Sequence, residues 1–201
     1  MAMKLTFTNI MKFFSYIAPL LLGTCLVLIS FFNSDAKGIV YLAGALLTAA
    51  FNLLIMNFFK SPASPERAPS CNLVDFGPTI NEYDSPAFNS TFISYTFMYL
   101  VMPMIASKQI SPSLIVFLLI IFFTDAITKL KDKCTKMTGI IFGGLLGLVA
   151  GAGWYILFHS LGYDKLLYFN NAAVGDSVCT RPSKQTFKCS VYKNGEVIAN
   201  L

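Results

Sequence analysis

Five apolar stretches, each near the length that crosses a hydrocarbon layer, constrain this chain more than any other feature. They cover residues 13–32, 38–59, 88–107, 110–128 and 137–160. An α-helix rises 1.5 Å per residue, so about 20 residues span a bilayer core of about 30 Å. Charged residues make up only 12% of the chain, against about 25% in an ordinary water-soluble domain. The deficit is concentrated in those stretches. The expected fold is therefore an all-α membrane protein. It has a bundle of about five transmembrane helices within residues 1–163, a surface loop at 60–87, and a small soluble tail at 164–201. The first stretch competes with a cleaved signal peptide. It is longer than the 7–15 apolar residues of such a signal, and it ends in Phe31-Phe32-Asn33 rather than in small residues.

Residues 60–87 differ in kind from their flanks. Pro62, Pro65, Pro69, Pro78 and Pro86 fall here. Each removes a backbone donor and fixes φ, so the spacing predicts a structured loop at the membrane surface. The tail carries a different signal. Residues 187–192 alternate, and Asn194-Gly195 precedes Val197-Ile198, which predicts a β-hairpin. Cys179 and Cys189 could bridge this small unit or stay as two free thiols. Cys25 lies in an apolar run, while Cys71 and Cys134 lie in polar loops. No CxxC pair, metal cluster, paired-carboxylate site or glycine-rich phosphate loop occurs, so no metal or cofactor is expected.

Polar positions inside the apolar stretches need partners. Asn52 and Asn57 must face another helix or the headgroups. Asp125 and Lys129 are four apart and can pair on one helix face. The expectation is a snorkelling pair at a helix end, with a proton relay as the alternative. Asp125 and Asn52 inside the bundle would suit a small channel or transporter. Gly139, Gly143, Gly147 and Gly151 repeat every four residues. They form one small-residue stripe that lets a second backbone approach, within the bundle or in a homo-oligomer.

The net charge is +5, carried in clusters between the apolar runs. It reads as topology and headgroup contact, and nucleic acid is not an expected partner. Lys4 and Lys12 flank the first run, Lys60 and Arg67 follow the second, and Lys129, Lys131, Lys133 and Lys136 crowd the fourth loop. Five crossings put these groups on one side. The positive-inside rule makes that side, with the N-terminus, cytoplasmic and puts the tail opposite. The sequon Asn89-Ser90-Thr91 then lies on the cytoplasmic side, where it would not be glycosylated.

The polar patches on that side resemble a known family. Lys60 and Arg67 are separated by six residues, with Ala68 then Pro69 following. Pro86-Ala87-Phe88-Asn89-Ser90 comes next, then Thr128-Lys129, five residues, Thr135, three residues and Gly139. Type-2 phosphatidic acid phosphatases carry Lys, six residues and Arg-Pro; then Pro-Ser-Gly-His; then Ser-Arg, five residues, His, three residues and Asp, leading into a glycine-rich helix. Residues 38–160 resemble a degenerate member. In that family the two histidines are nucleophile and general acid, and the aspartate orients the nucleophile. Thr135, Asn89 and Gly139 stand at those positions. Histidine phosphoryl transfer needs an imidazole, which threonine and asparagine cannot replace. The only histidine, His159, lies near the far end of the last run. The resemblance implies at most a binder, in which Lys60, Arg67, Asn89 and Lys129, joined by Lys133, would hold a lipid phosphate.

A second resemblance covers the whole chain. Cys71-Asn72-Leu73, Pro86 to Ser90, Lys133-Cys134-Thr135 and above all Arg181-Pro182-Ser183-Lys184-Gln185-Thr186-Phe187-Lys188-Cys189 resemble uncharacterised multi-pass membrane proteins of large DNA viruses of algae and protists. This implies a protein of the virion internal membrane or a host endomembrane. Together the readings predict a non-enzymatic structural membrane protein whose partners are the bilayer and other membrane or capsid proteins. The alternatives are a lipid-phosphate phosphatase-like enzyme or binder, and a small channel or transporter.

Overall fold

The computed structural model describes residues 6–72, 83–169, 190–193 and 196–200. Up to residue 169 the described chain has five long helices and no strand. They are α1 (Phe7–Phe32), α2 (Lys37–Phe59), α3 (Phe88–Ala106), α4 (Pro112–Lys131) and α5 (Met137–Ser160). Short 3-10 turns lie at Pro69–Asn72 and Asp164–Leu166. The hairpin turn Asn194-Gly195 and the pair Cys179 and Cys189 lie outside the described residues.

Four of the five helices, all but α3, are long and apolar enough to cross a membrane. The chain is therefore built as an integral multi-pass membrane protein. Helix α3 differs for a physical reason. It carries Asn89, Ser90, Thr91, Ser94, Tyr95, Thr96 and Tyr99, and all seven are buried. Its polar groups face protein on several sides, so it can be less apolar than its lipid-facing neighbours.

The glycine stripe explains how α3 reaches the centre. Helices α3 and α5 run parallel, with Gly143 beside Ala87, Gly147 beside Thr91 and Gly151 beside Tyr95. A Cβ on Gly143 would sit 2.6 Å from the Ala87 carbonyl oxygen, and one on Gly151 would sit 2.5 Å from that of Tyr95. On Gly147 it would collide with the Thr91 carbonyl and lie 2.8 Å from the Tyr95 nitrogen. Three successive turns of α5 thus rest directly on the α3 backbone. Gly139 continues the stripe against the Asp84 carbonyl.

Aromatic residues fill the other side of α3. Tyr95 and Tyr99 stack with ring centroids 5.9 Å apart, and Tyr41 of α2 packs on both. Their polar tips are tied inside the bundle. Tyr95 donates to the Tyr41 carbonyl at 3.2 Å, and the Tyr41 and Thr96 hydroxyls are 2.7 Å apart. Trp154 donates to the Val40 carbonyl at 3.0 Å, which fastens α5 to α2. Asn52 is fully buried and donates to Thr91 at 2.7 Å. At the α1–α2 turn, Ser30 accepts from the Gly38 amide at 2.8 Å and donates to the Asp35 carbonyl at 2.7 Å.

Candidate polar site at one end of the bundle

The start of α1, the end of α2, the start of α3, the end of α4 and the start of α5 meet at one end of the bundle. Three carboxylates organise the polar side chains there. Asp125, fully buried on α4, accepts from Ser15 of α1 at 3.2 Å and from Asn89 of α3 at 3.4 Å. Lys129, one turn on, lies 3.6 Å from its other oxygen, and its side chain is only 11% exposed. The pair is interior, not snorkelling at a helix end as the sequence led us to expect. The reason is tertiary: Ser15 in the third turn of α1 and Asn89 in the first turn of α3 close over a face of α4 that would otherwise meet the interface.

Asp132 is the second organiser. It pairs with Lys12 of α1 and accepts from Tyr16 at 2.9 Å and from Ser70 at 3.1 Å. The Asp132 carbonyl also accepts the Ala68 amide at 3.1 Å. A single acidic residue after α4 thus gathers α1 and the proline-rich loop. Burial alone would raise its carboxyl. The hydrogen bonds from Lys12, Tyr16 and Ser70 outweigh that and hold it below the usual carboxylate range. A carboxyl lowered by folding contributes stability that is present above its unfolded value, near 3.9. That contribution is lost as pH falls through the lower, folded value. Acid should therefore release the loop only below about pH 4. Asp132→Asn should loosen it already at neutral pH, read as faster proteolysis within residues 61–72. Equal cleavage of variant and parent would refute this.

Asp84 is the third organiser. It accepts from Ser61 at 2.9 Å, its side chain is fully buried, and Lys136 lies 3.6 Å away. Its carbonyl accepts from Thr135 at 2.6 Å. Lys133 pairs with Glu66 across the same rim. The loop is held covalently as well. Cys71 and Cys134, 63 positions apart in sequence, form a disulfide with Cα atoms 5.5 Å apart. The sequence placed both cysteines in polar loops without pairing them. Nothing in their spacing points to a bond; only the packing of loop 60–72 against the α4–α5 corner brings them together.

The residues set out by the phosphatase resemblance are partly collected here. Arg67 is half-buried, and its guanidinium is drawn down by burial and opposed by nearby Tyr16 and Asp84. Asn89 and Lys129 share Asp125, and Thr135 and Gly139 both touch Asp84. Lys60 is exposed at the end of α2, in a left-handed conformation. Asn89 is buried in α3. His159 stands 22 residues beyond Met137 along α5, about 33 Å away. It pairs with Asp164 at 2.6 Å and stacks on Tyr155. Ser15, Tyr16, Ser70 and Asp132 were missed by sequence reasoning. Two lie in an apolar-looking helix and two in connections, and no local pattern marks them.

Comparisons with protein-family models, curated proteins and solved structures find no match to this chain.

Proposed function

We propose that this protein is a non-enzymatic, structural multi-pass membrane protein of a viral internal membrane. All five helices cross the bilayer in this reading. A tail hairpin built on the segments Ser190–Lys193 and Glu196–Asn200 contacts neighbouring membrane or capsid proteins. One observation carries the non-catalytic part. Glu66, Asp84, Asp125 and Asp132, the acids of the polar end among the described residues, each face a lysine of the same chain. These charges serve to hold the loop and the helix ends together. No imidazole stands among them to attack or to protonate a substrate. The viral setting rests on the resemblance of the tail stretch Arg181 to Cys189.

Orientation follows the charge bias, with the polar end and the N-terminus cytoplasmic and the tail opposite. The Cys71–Cys134 disulfide adds a consequence. Disulfides do not persist against cytosolic thiol pools. The two cysteines should therefore be thiols while the protein sits in host membranes, and bridged in released particles. The test is to purify both fractions and tag thiols with a maleimide of known mass. Particle-derived protein should resist carbonate extraction and take two fewer tags. Absence from particles would end the structural reading, and a bridge already closed in host membranes would reverse the orientation.

A second reading, a lipid-phosphate binder, is favoured by Arg67, Lys129 and Lys133 lying at the same end of the bundle. Cations at the bundle mouth could hold a phosphate. Phosphatidic acid that is hydrolysed by the purified protein, with labelled phosphate trapped on the chain, would replace the first reading.

A further inference from the structure

Helices α1 and α2 touch at their shared turn and then part. At the turn, the Ser30 side chain and the Val27 backbone leave no room for a Cβ on Gly38. Further along, each helix is tied to a different partner. Ser15 and Tyr16 bind α1 to Asp125 and Asp132 at the α4 end. Asn52 binds α2 to Thr91 of α3, and Trp154 of α5 binds it at Val40. The two helices are thus held apart by polar contacts neither can give up cheaply. Between them lies a groove of about 520 Å3, floored by Ala45 and by Phe88 and Phe92 of α3.

The walls identify what fills it. They run from Pro19 to Leu28 on α1 and from Leu42 to Ala49 on α2. No charged residue lines the groove. The hydroxyl of Thr24, on the α1 wall, is spent on the Leu20 and Leu21 carbonyls. Water gains nothing in such a space, and an empty one forfeits its dispersion contacts. Both walls belong to helices apolar enough to lie in a bilayer. Leu20, Leu28 and Leu46, all exposed, form its open side. The nine-residue rise from Pro19 to Leu28 is about 14 Å, close to half of a core about 30 Å thick. The groove starts near the midpoint of α1 and ends toward the α1–α2 turn.

We propose that this groove is a binding site for one lipid acyl chain, supplied by the leaflet on the side of the α1–α2 turn. The chain lies between α1 and α2 with its methyl end against Phe88. The site is prebuilt, because the ties at Ser15, Tyr16 and Asn52 keep the groove from collapsing when the lipid leaves. Recognition is of hydrocarbon, and the polar end, on the other side of the membrane, takes no part.

The test uses the full chain in phosphatidylcholine vesicles that contain a phosphatidylcholine with a diazirine at the end of one acyl chain. After illumination, adducts are mapped by mass spectrometry. They should concentrate on Pro19–Gly23 and Phe88–Phe92. Ala49→Trp, which fills the groove, should lower those adducts at least fivefold. Thr24→Trp, from the opposite wall, should do the same and serves if Ala49→Trp does not fold. Val149→Trp, at a residue 71% exposed on the outside of the bundle, should change nothing. Adducts spread in proportion to exposure, as heavy around Val149 and Leu54 as in the groove, would overturn the proposal. So would groove adducts that survive both groove-filling variants.

Discussion

Gly147→Ala is expected to destabilise this protein by about 3 kcal/mol or more, the upper end of what overpacking by a methyl group costs. The added carbon would press into the Thr91 carbonyl, and the Tyr95 nitrogen and the Ser94 Cβ are the next atoms it meets, at 2.8 and 2.9 Å. Two of these three are backbone atoms that cannot rotate aside. Relief requires moving α3 off α5, which also disturbs the tyrosine cluster that α3 carries against α2. Gly153 supplies the control. It lies on the same helix, and a Cβ there meets nothing within 4 Å. Gly153→Ala should be neutral or stabilising by up to about 1 kcal/mol, from helix propensity alone. Thermal unfolding of the detergent-solubilised protein, followed by loss of monodisperse elution, compares the two. Equal midpoints for the two variants would show that α3 and α5 are not packed backbone to backbone.

Lys129→Ala is expected to cost about 3–5 kcal/mol, because it strands a buried carboxylate. Asp125 would keep its bonds from Ser15 and Asn89 but lose its cation. Removing both charges should be far milder. Well-packed apolar residues commonly replace a buried ion pair with little loss or a gain. Lys129→Met combined with Asp125→Leu should therefore recover most of the stability lost in Lys129→Ala. The same pair of variants separates structure from ligand binding. If Lys129 served mainly to hold an external phosphate, Lys129→Ala would leave the unfolding midpoint nearly unchanged and the double variant would bring no recovery. Stability measured without added lipid phosphate thus decides which role the lysine has.

Both effects arise where helices touch, and the sequence exposes such places unevenly. The glycine stripe is visible in the chain because four-residue spacing aligns side chains on one helical face whatever surrounds it. The partner of that stripe is not visible. Ala87, Thr91, Tyr95 and Tyr99 also repeat every four residues, yet the helix bearing them looks polar for a membrane segment. The Asp125–Lys129 pairing is readable from spacing too, since it needs only one helix. Its burial is not, because Ser15 and Asn89 arrive from chain positions 110 and 36 residues away.

The sequence by itself determined the helices: their number, their approximate bounds, and the loop between α2 and α3. These properties depend on local composition and on periods of a few residues, so a linear reading captures them. Only the tertiary structure decided that α3 is the core helix, that Cys71 meets Cys134, that Asp132 ties the loop to α1, and that α1 and α2 stand apart around an apolar groove. Each of those facts depends on which segments meet in space. In a membrane that choice is made by close packing and by the satisfaction of buried polar groups. Both are relations between distant residues, which leave little trace in the chain taken one segment at a time.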